Sequence, residues 1–332
     1  MRETTVITVT LNPAIDKTIS LAGLQIGGLN RVVETQIDPG GKGINVAKAL
    51  REFGIKVLAT GFIAGEEGNK LIAQLKSEKI TTSFVEIPGE TRTNIKILDE
   101  LTNTTTEINE SGFTVGEDEQ KKFITELNQK IDTLIQAKSK NDLADVNSTQ
   151  QKYLVLGGSL PEGITADYYY ELIRLANNKG IKVIFDADGV AFKEGIKAKP
   201  FAVKPNIFEL EQLYASKFTS ISDILQAGKK LVESGISLVI ISMGKKGALV
   251  LNAHEAYYVK TYQITPKSAV GAGDSMVAAL IKSLLENKTL EETAVWVTTA
   301  GTVTAGKKGS QVCTLTEVQN NLSKVQVEKL DL

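Results

Sequence analysis

Short runs of β-branched and other apolar residues alternate along most of this chain with longer amphipathic segments, and this alternation limits the possible fold more than any single motif does. Val6 to Leu11, Val57 to Phe62, Tyr153 to Leu156, Lys182 to Phe185, Phe201 to Val203 and Leu238 to Ser242 read as buried strands. Between them, Ile44 to Phe53, Asn69 to Glu78, Glu117 to Ala137, Ala166 to Asn178, Ile221 to Ser234 and Gly273 to Glu286 read as helices. Strand and helix in alternation predict an α/β fold whose parallel sheet is covered on both faces.

Two segments break the rhythm. Within 18–36 and 91–109, Arg31-Val-Val-Glu-Thr-Gln-Ile and Thr93-Asn-Ile-Lys-Ile-Leu alternate polar and apolar residues, which predicts a small antiparallel sheet set on the main body as a lid. The polar stretch Lys138 to Lys152 reads as an exposed surface connection after the Glu117 helix. The next strand resumes the same alternation, so residues 1–332 are expected to form a single domain.

Composition removes several classes of function. With 38 Lys plus Arg against 39 Asp plus Glu, no excess positive charge is available for a nucleic-acid surface, and any anionic ligand must be held locally. One histidine and one cysteine cannot form a zinc cluster or an intrachain disulfide. His254, in Asn252-Ala253-His254-Glu255-Ala256, reads as a solvated turn between strands. Met1-Arg2-Glu3 leads into a strand without a signal-type apolar region, and no apolar run approaches the roughly 20 residues of a membrane span. The expectation is a cytoplasmic enzyme with no membrane or nucleic-acid partner.

The segment that carries most chemistry is Val270-Gly271-Ala272-Gly273-Asp274-Ser275, followed by the small-residue helix Met276-Val-Ala-Ala-Leu. Glycines there permit a tight turn with free amides, the helix adds its positive end, and the turn can hold a phosphoryl group while Asp274 accepts a proton. A plain turn with Asp274 favoured by the helix dipole accounts for the same letters.

A second cluster, Gly40-Gly41-Lys42-Gly43-Ile44-Asn45, also opens a helix and combines close backbone approach, a charge and an amide suited to sugar hydroxyls. It fails as a dinucleotide fingerprint, because the nearest preceding strand ends near Leu11. Gly301-Thr-Val-Thr-Ala-Gly306-Lys307-Lys308 has the spacing of a Walker loop but ends in Lys and follows a helix, so it reads as a helix C-terminus. Three strand ends remain: Gly157-Gly158-Ser159-Leu160-Pro161, Lys204-Pro205-Asn206-Ile207-Phe208-Glu209, and Ser242-Met243-Gly244-Lys245-Lys246-Gly247. Each stands where α/β proteins keep ligands, and each is also readable as an ordinary cap or hairpin turn.

Taken in order, these segments resemble the PfkB (ribokinase-like) family of carbohydrate kinases from about Val6 to Gly309. Leu11-Asn12-Pro13-Ala14-Ile15-Asp16, Thr91-Arg92-Thr93-Asn94 and Ser111-Gly112-Phe113 narrow the likeness to its sugar-phosphate branch. The resemblance implies a three-layer αβα fold with a lid, ATP and Mg2+ as cofactors, and a homodimer formed through the lid. It makes Asp274 the base, with the amides of Gly271, Ala272 and Gly273 around the transferring phosphoryl group. Asp16, Gly40, Gly41, Asn45 and Ser159 would bind the sugar, and Lys42, Arg92 and Arg31 its phosphate. Lys204, Ser242, Gly244 and Gly247 would line the ATP site, with Asn206 and Glu209 organising the metal through water.

The resulting expectation is ATP-dependent phosphorylation of a ketohexose phosphate, fructose 1-phosphate first and tagatose 6-phosphate second. A noncatalytic sugar-phosphate sensor is the alternative of another class, which intact Asp274 and its glycines oppose. A dinucleotide oxidoreductase is opposed by the failed fingerprint.

Overall fold

The computed structural model describes residues 5–102, 104–136, 151–268 and 270–332. The expected amino-terminal run Met1 to Glu3, residue Ala137 and the connection at 138–150 lie outside these residues. In chain order the first half contains β1 (Val6–Thr10), β2 (Ala14–Leu21), β3 (Glu34–Gly40), α1 (Lys42–Glu52), β4 (Val57–Ile63) and α2 (Gly65–Ser77). Next come β5 (Thr81–Thr82), β6 (Val85–Glu86), β7 (Arg92–Asp99), β8 (Thr104–Asn109) and α3 (Glu117–Gln136). The second half holds β9 (Tyr153–Gly157), α4 (Tyr168–Asn177), β10 (Lys182–Asp186), α5 (Gly189–Gly195), β11 (Ala202–Val203), α6 (Ile207–Tyr214) and α7 (Ile221–Glu233). It ends with β12 (Leu238–Ser242), β13 (Ala248–Leu251), β14 (Ala256–Lys260), α8 (Ala272–Leu285), α9 (Leu290–Ala305), α10 (Leu315–Gln319) and β15 (Gln326–Leu330).

The main sheet has 11 strands in the order β15-β14-β13-β12-β11-β10-β9-β1-β4-β5, with β6 beside β4. From β12 to β5 the pairing is parallel, and β13, β14 and β15 close one edge antiparallel. Every central strand is buried on both faces because its side chains alternate between two cores. Leu154 and Leu156 of β9 join the core under α3 to α7, whereas Tyr153 and Val155 join the core under α1, α2, α8 and α9. In β10, Val183 and Phe185 face the first core and Ile184 the second. This double burial is the physical content of the continuous apolar runs, and it produces the expected three layers.

The second sheet has four strands in the order β3-β2-β7-β8. It corrects the expectation of an antiparallel lid. Each hairpin, β2-β3 and β7-β8, is antiparallel, but the two are joined through β2 and β7 in parallel, from Ala14 opposite Arg92 to Leu21 opposite Asp99. Alternation of polarity is the same in both directions, so sequence periodicity could not reveal this. The strands also run from Ala14 and on to Gly40, beyond the expected limits of 18–36, while Arg31-Val-Val precedes β3 as exposed coil.

His254 does lie in an exposed turn, between β13 and β14, where Asn252 Oδ1 accepts from its amide at 2.8 Å. The Walker-like segment is the end of α9, whose cap Gly306 keeps an ordinary φ of −83°. Among the described residues, no helix is long and apolar enough to cross a membrane.

Phe185 is fully buried between Tyr169, at 5.2 Å between ring centroids, and Phe192, at 5.8 Å. It immediately precedes the most connected carboxylate of the site. Phe185→Ala is expected to lower unfolding free energy by about 3–5 kcal/mol, measured by urea denaturation, because it leaves a cavity that these rings cannot collapse into.

Candidate active site

The parallel strands end at one side of the sheet, and Ser159, Lys204, Asn206 and Ser242 stand at or just after the ends of β9, β11 and β12. β10 delivers Asp186, the loop after β11 delivers Lys204, and α1, which starts after the β3 hairpin, delivers Lys42. Asp186 bridges the two lysines, with its Oδ1 at 2.8 Å from Lys42 Nζ and its Oδ2 at 3.0 Å from Lys204 Nζ. Burial pushes the Asp186 carboxyl upward, but Lys204 and Lys42 outweigh it and hold the group below the usual carboxylate range. For Lys42, burial acts downward and the attraction of Asp186 more than reverses it.

Gly271 opens α8 with φ of +77°, a left-handed conformation that favours glycine, and it turns the first amides of the helix outward. Lys204 Nζ reaches this loop so closely that a Cβ on Gly273 would stand 3.0 Å from it. Asp274 follows in the first turn of α8. It is buried, and one carboxylate oxygen accepts a hydrogen bond from Asn45 Nδ2 at 2.9 Å. Burial, and then the charge of Asp186, push its pKa from 3.8 to about 6.

Asn206 and Glu209 form the cap of α6. Asn206 Oδ1 accepts from the Glu209 amide at 2.9 Å, and Glu209 Oε2 accepts from the Asn206 amide at 2.8 Å. Burial and the neighbouring Asp186 raise the Glu209 carboxyl. Ser242 ends β12, and Gly244 and Gly247 bracket the short helical turn into β13. Lys42, Asp186, Lys204, Asn206, Glu209, Ser242, Gly244, Gly247 and Gly271 to Asp274 line a single cavity of about 1100 Å3.

Of the residues expected to hold sugar, Asn45 contacts Asp274 directly. Asp16, on β2, is held by Lys96 Nζ at 2.7 Å and Asn94 Nδ2 at 3.2 Å, both from the neighbouring β7. Gly40 abuts this carboxylate, for a Cβ there would meet Asp16 Cγ at 2.5 Å, so the position requires glycine. Gly41 follows as the cap of α1. Arg92, at the start of β7, donates to Asn12 O at 3.0 Å and to Ser159 Oγ at 3.1 Å. Four buried atoms in this region have no partner: Asn12 Oδ1, Asn45 Oδ1, Asn94 Oδ1 and Arg92 Nε. Unmet hydrogen-bonding groups of this kind suit a polyhydroxylated ligand.

Arg31 lies exposed in the coil between β2 and β3, and its side chain has no hydrogen bond or ion pair among the described residues. Conversely, Asp186, Lys96, Asn12 and Asn94 carry contacts to which the sequence reading assigned no role. Asp186 had a signal, since an acid directly after Val183-Ile-Phe stands at the carboxyl end of a buried strand. Lys96 had none, because only the parallel pairing of β2 with β7 brings it to Asp16.

A buried carboxylate in the first turn of a helix whose N-terminal amides line the same cavity is what phosphoryl transfer to a hydroxyl requires. The model of the pfkB family of carbohydrate kinases matches residues 9–317, and the chain belongs to that family. It is 32% identical over 323 residues to a 1-phosphofructokinase of Bacillus subtilis, covering 97% of this chain and 99% of that protein. It is 35% identical over 290 residues to a tagatose-6-phosphate kinase of Staphylococcus epidermidis, covering 86% and 87%. The crystal structure of phosphofructokinase-2 from Escherichia coli in complex with potassium matches with a TM-score of 0.85 at 28% identity, covering 97% of this chain and 99% of that one. The chain is therefore a sugar-phosphate kinase.

The raised pKa of Asp274 carries a stability cost of definite sign. With a native value near 6 against 3.8 when free, its favourable contribution is present below about pH 4 and is lost as pH rises through 6. Asp274→Asn should therefore stabilise the protein at pH 8, by up to about 3 kcal/mol, and should have little effect at pH 4. Chemical denaturation of both proteins at the two pH values measures the difference.

Proposed function

We propose that this kinase transfers the γ-phosphoryl group of ATP to a ketohexose phosphate, with fructose 1-phosphate as the preferred acceptor and fructose 1,6-bisphosphate as the product. The observation that carries this reading is the 2.9 Å bond from Asn45 to Asp274, which joins the sugar-side loop to the phosphoryl cradle at one carboxylate. Asp274 takes the proton of the attacking hydroxyl, the new bond forms from that oxygen to the γ-phosphorus, and ADP leaves. The α8 amides at Ala272 and Gly273, with Lys204 beside them, stabilise charge on the transferring group. Arg92 holds the phosphate already on the sugar, and Asp16, fixed by Lys96, orients its hydroxyls.

Magnesium fits the residues present, since it needs few carboxylates, and the cap bond of Glu209 uses only one oxygen of a group facing the cavity. Asn206, whose oxygen is taken by the cap, keeps Glu209 in place. When bound, the ion neutralises charge on the nucleotide phosphates.

The small sheet acts as a lid and as the surface of a homodimer. Among the described residues, Ile26, Leu29, Val32, Val33, Ile37, Leu101 and Ile108 are all exposed on it or its loops. A reducing cytoplasm suits a chain whose one cysteine, Cys313, is free and buried. Tagatose 6-phosphate is the second reading for the acceptor, favoured by the relative that carries that name.

The test is ATP-dependent ADP release with fructose 1-phosphate, tagatose 6-phosphate, fructose 6-phosphate and ribose in parallel. The highest kcat/KM is expected for fructose 1-phosphate. Preference for tagatose 6-phosphate selects the second reading, activity on ribose alone refutes a phosphorylated acceptor, and binding without turnover identifies a sensor. With the preferred sugar, kcat/KM should fall about tenfold per pH unit below pH 6 as Asp274 takes up a proton. Asp274→Asn should lower kcat by roughly 10² or more. Arg92→Ala should raise KM for the sugar phosphate while kcat changes little, and an unchanged KM removes Arg92 from the site.

A further inference from the structure

Lys48 stands about one turn after Asn45 on α1, so the two side chains share a face of the helix. Asn45 reaches Asp274, whereas the Lys48 ammonium is buried between two other segments. It donates to Pro39 O, near the end of β3, at 3.2 Å and to Ser310 Oγ, in the loop after α9, at 3.4 Å. Both acceptors are neutral, and no carboxylate of the described residues forms an ion pair with it. Burial pulls its pKa below the usual lysine value, and the more distant Glu78, Asp38 and Asp16 offset this only in part. A buried ammonium held by two long bonds to neutral oxygens costs stability, and an apolar side chain of the same length fills the space without that cost. What Lys48 contributes is therefore the join between the two segments.

Both segments lead to the site. Pro39 precedes Gly40, which abuts the Asp16 carboxylate, and Gly41, which caps α1. The loop that carries Ser310 is tied to the first turn of α8. Cys313, just after it, donates its amide to Thr304 Oγ1 at 3.1 Å, and Thr304 donates to Ser275 Oγ, beside Asp274, at 2.8 Å. Val312 lies against Gly271, where a Cβ would meet Val312 Cγ1 at 3.8 Å. β3 also runs along this loop, for a Cβ on Gly309 would stand 2.9 Å from the Gln36 side chain, and Lys308 Nζ lies 3.8 Å from Glu34 Oε2. That ion pair is exposed and contributes little, so the buried Lys48 contact is the one that fixes the approach.

We propose that Lys48 is a positioning residue that joins β3 to the loop after α9 and so sets where Gly40 and Gly41 stand relative to the phosphoryl cradle of Gly271 to Asp274. Lys48 lies outside the residues that line the cavity, so it acts through these glycines. A shift of β3 displaces the acceptor sugar from the cradle and leaves the nucleotide side untouched. Transfer between two bound groups is sensitive to a displacement of about 1 Å. The inference rests on the sugar-phosphate kinase reading and names a residue that aligns the two substrates of that same site.

The experiment compares the wild-type protein with Lys48→Met and Ser310→Ala by urea denaturation, by titration of ADP and by steady-state kinetics with the preferred sugar phosphate. Methionine keeps the reach of lysine without its charge, so Lys48→Met should unfold at a urea concentration equal to or above that of wild type. Its ADP affinity and its KM for ATP should be unchanged, while kcat falls about tenfold. Ser310→Ala leaves Pro39 O as the one acceptor and should lower kcat about threefold, again with ADP affinity unchanged. A kcat within about twofold of wild type in Lys48→Met, or unchanged in Ser310→Ala, overturns the proposal. A loss of kcat accompanied by a lower urea midpoint or weaker ADP binding also overturns it, because a merely structural role gives that pattern. If the wild-type protein phosphorylates no sugar phosphate, the reading beneath the proposal falls with it, whereas the other failures leave that reading intact.

Discussion

Asp186 is the pivot of the site. Its carboxylate ties Lys42, at the first turn of α1, to Lys204, at the end of β11, and so it fixes two separate segments against one strand end. Asp186 and Lys204 are buried charges that would be costly without partners, and with the half-buried Lys42 they hold the segments that supply them to a single arrangement. The same negative charge also pushes the neighbouring Asp274 and Glu209 carboxyls upward. One group therefore stays ionised and structural while its neighbours are shifted toward proton exchange, the separation of roles expected when carboxylates share a low-dielectric cleft.

The fold makes this arrangement possible by burying every central strand on both faces. A sheet held between two cores cannot slip by one residue without exchanging its cores, so its strand ends are placed rigidly. The site is built on those ends and on helix starts, and it needs little from flexible loops. The region around Asp16 differs, because it rests on the second sheet, where Asp16 is positioned by side chains of β7 across a pairing about 80 residues apart in sequence. Unpaired atoms at Asn12, Asn45, Asn94 and Arg92 leave that region incomplete until a ligand supplies partners.

Structural and chemical roles coincide in several residues. Asn206 and Glu209 are an ordinary capping box and also walls of the cavity. The Gly244 turn is a hairpin connection between β12 and β13 and also borders the large cavity. For such residues the letters alone support either reading, because a helix N-terminus has the same unmet amides whether a side chain or a phosphate fills them.

Local periodicity determined the layered α/β fold, the six central strands and the boundaries of most helices, because burial on one or both faces is written directly into residue spacing. The glycine loops were legible as helix starts for a similar reason, since a tight turn restricts residue choice at neighbouring positions, whereas a role for Asp274 came from the family resemblance and not from spacing, which a plain capped turn explains equally. Only the tertiary structure decided that β2 and β7 run parallel, that Asp186 joins two lysines, and that Thr298 lacks a partner. Each of these depends on which distant segments meet and in which direction. That outcome follows from packing two cores around one sheet, and no window of neighbouring residues contains it.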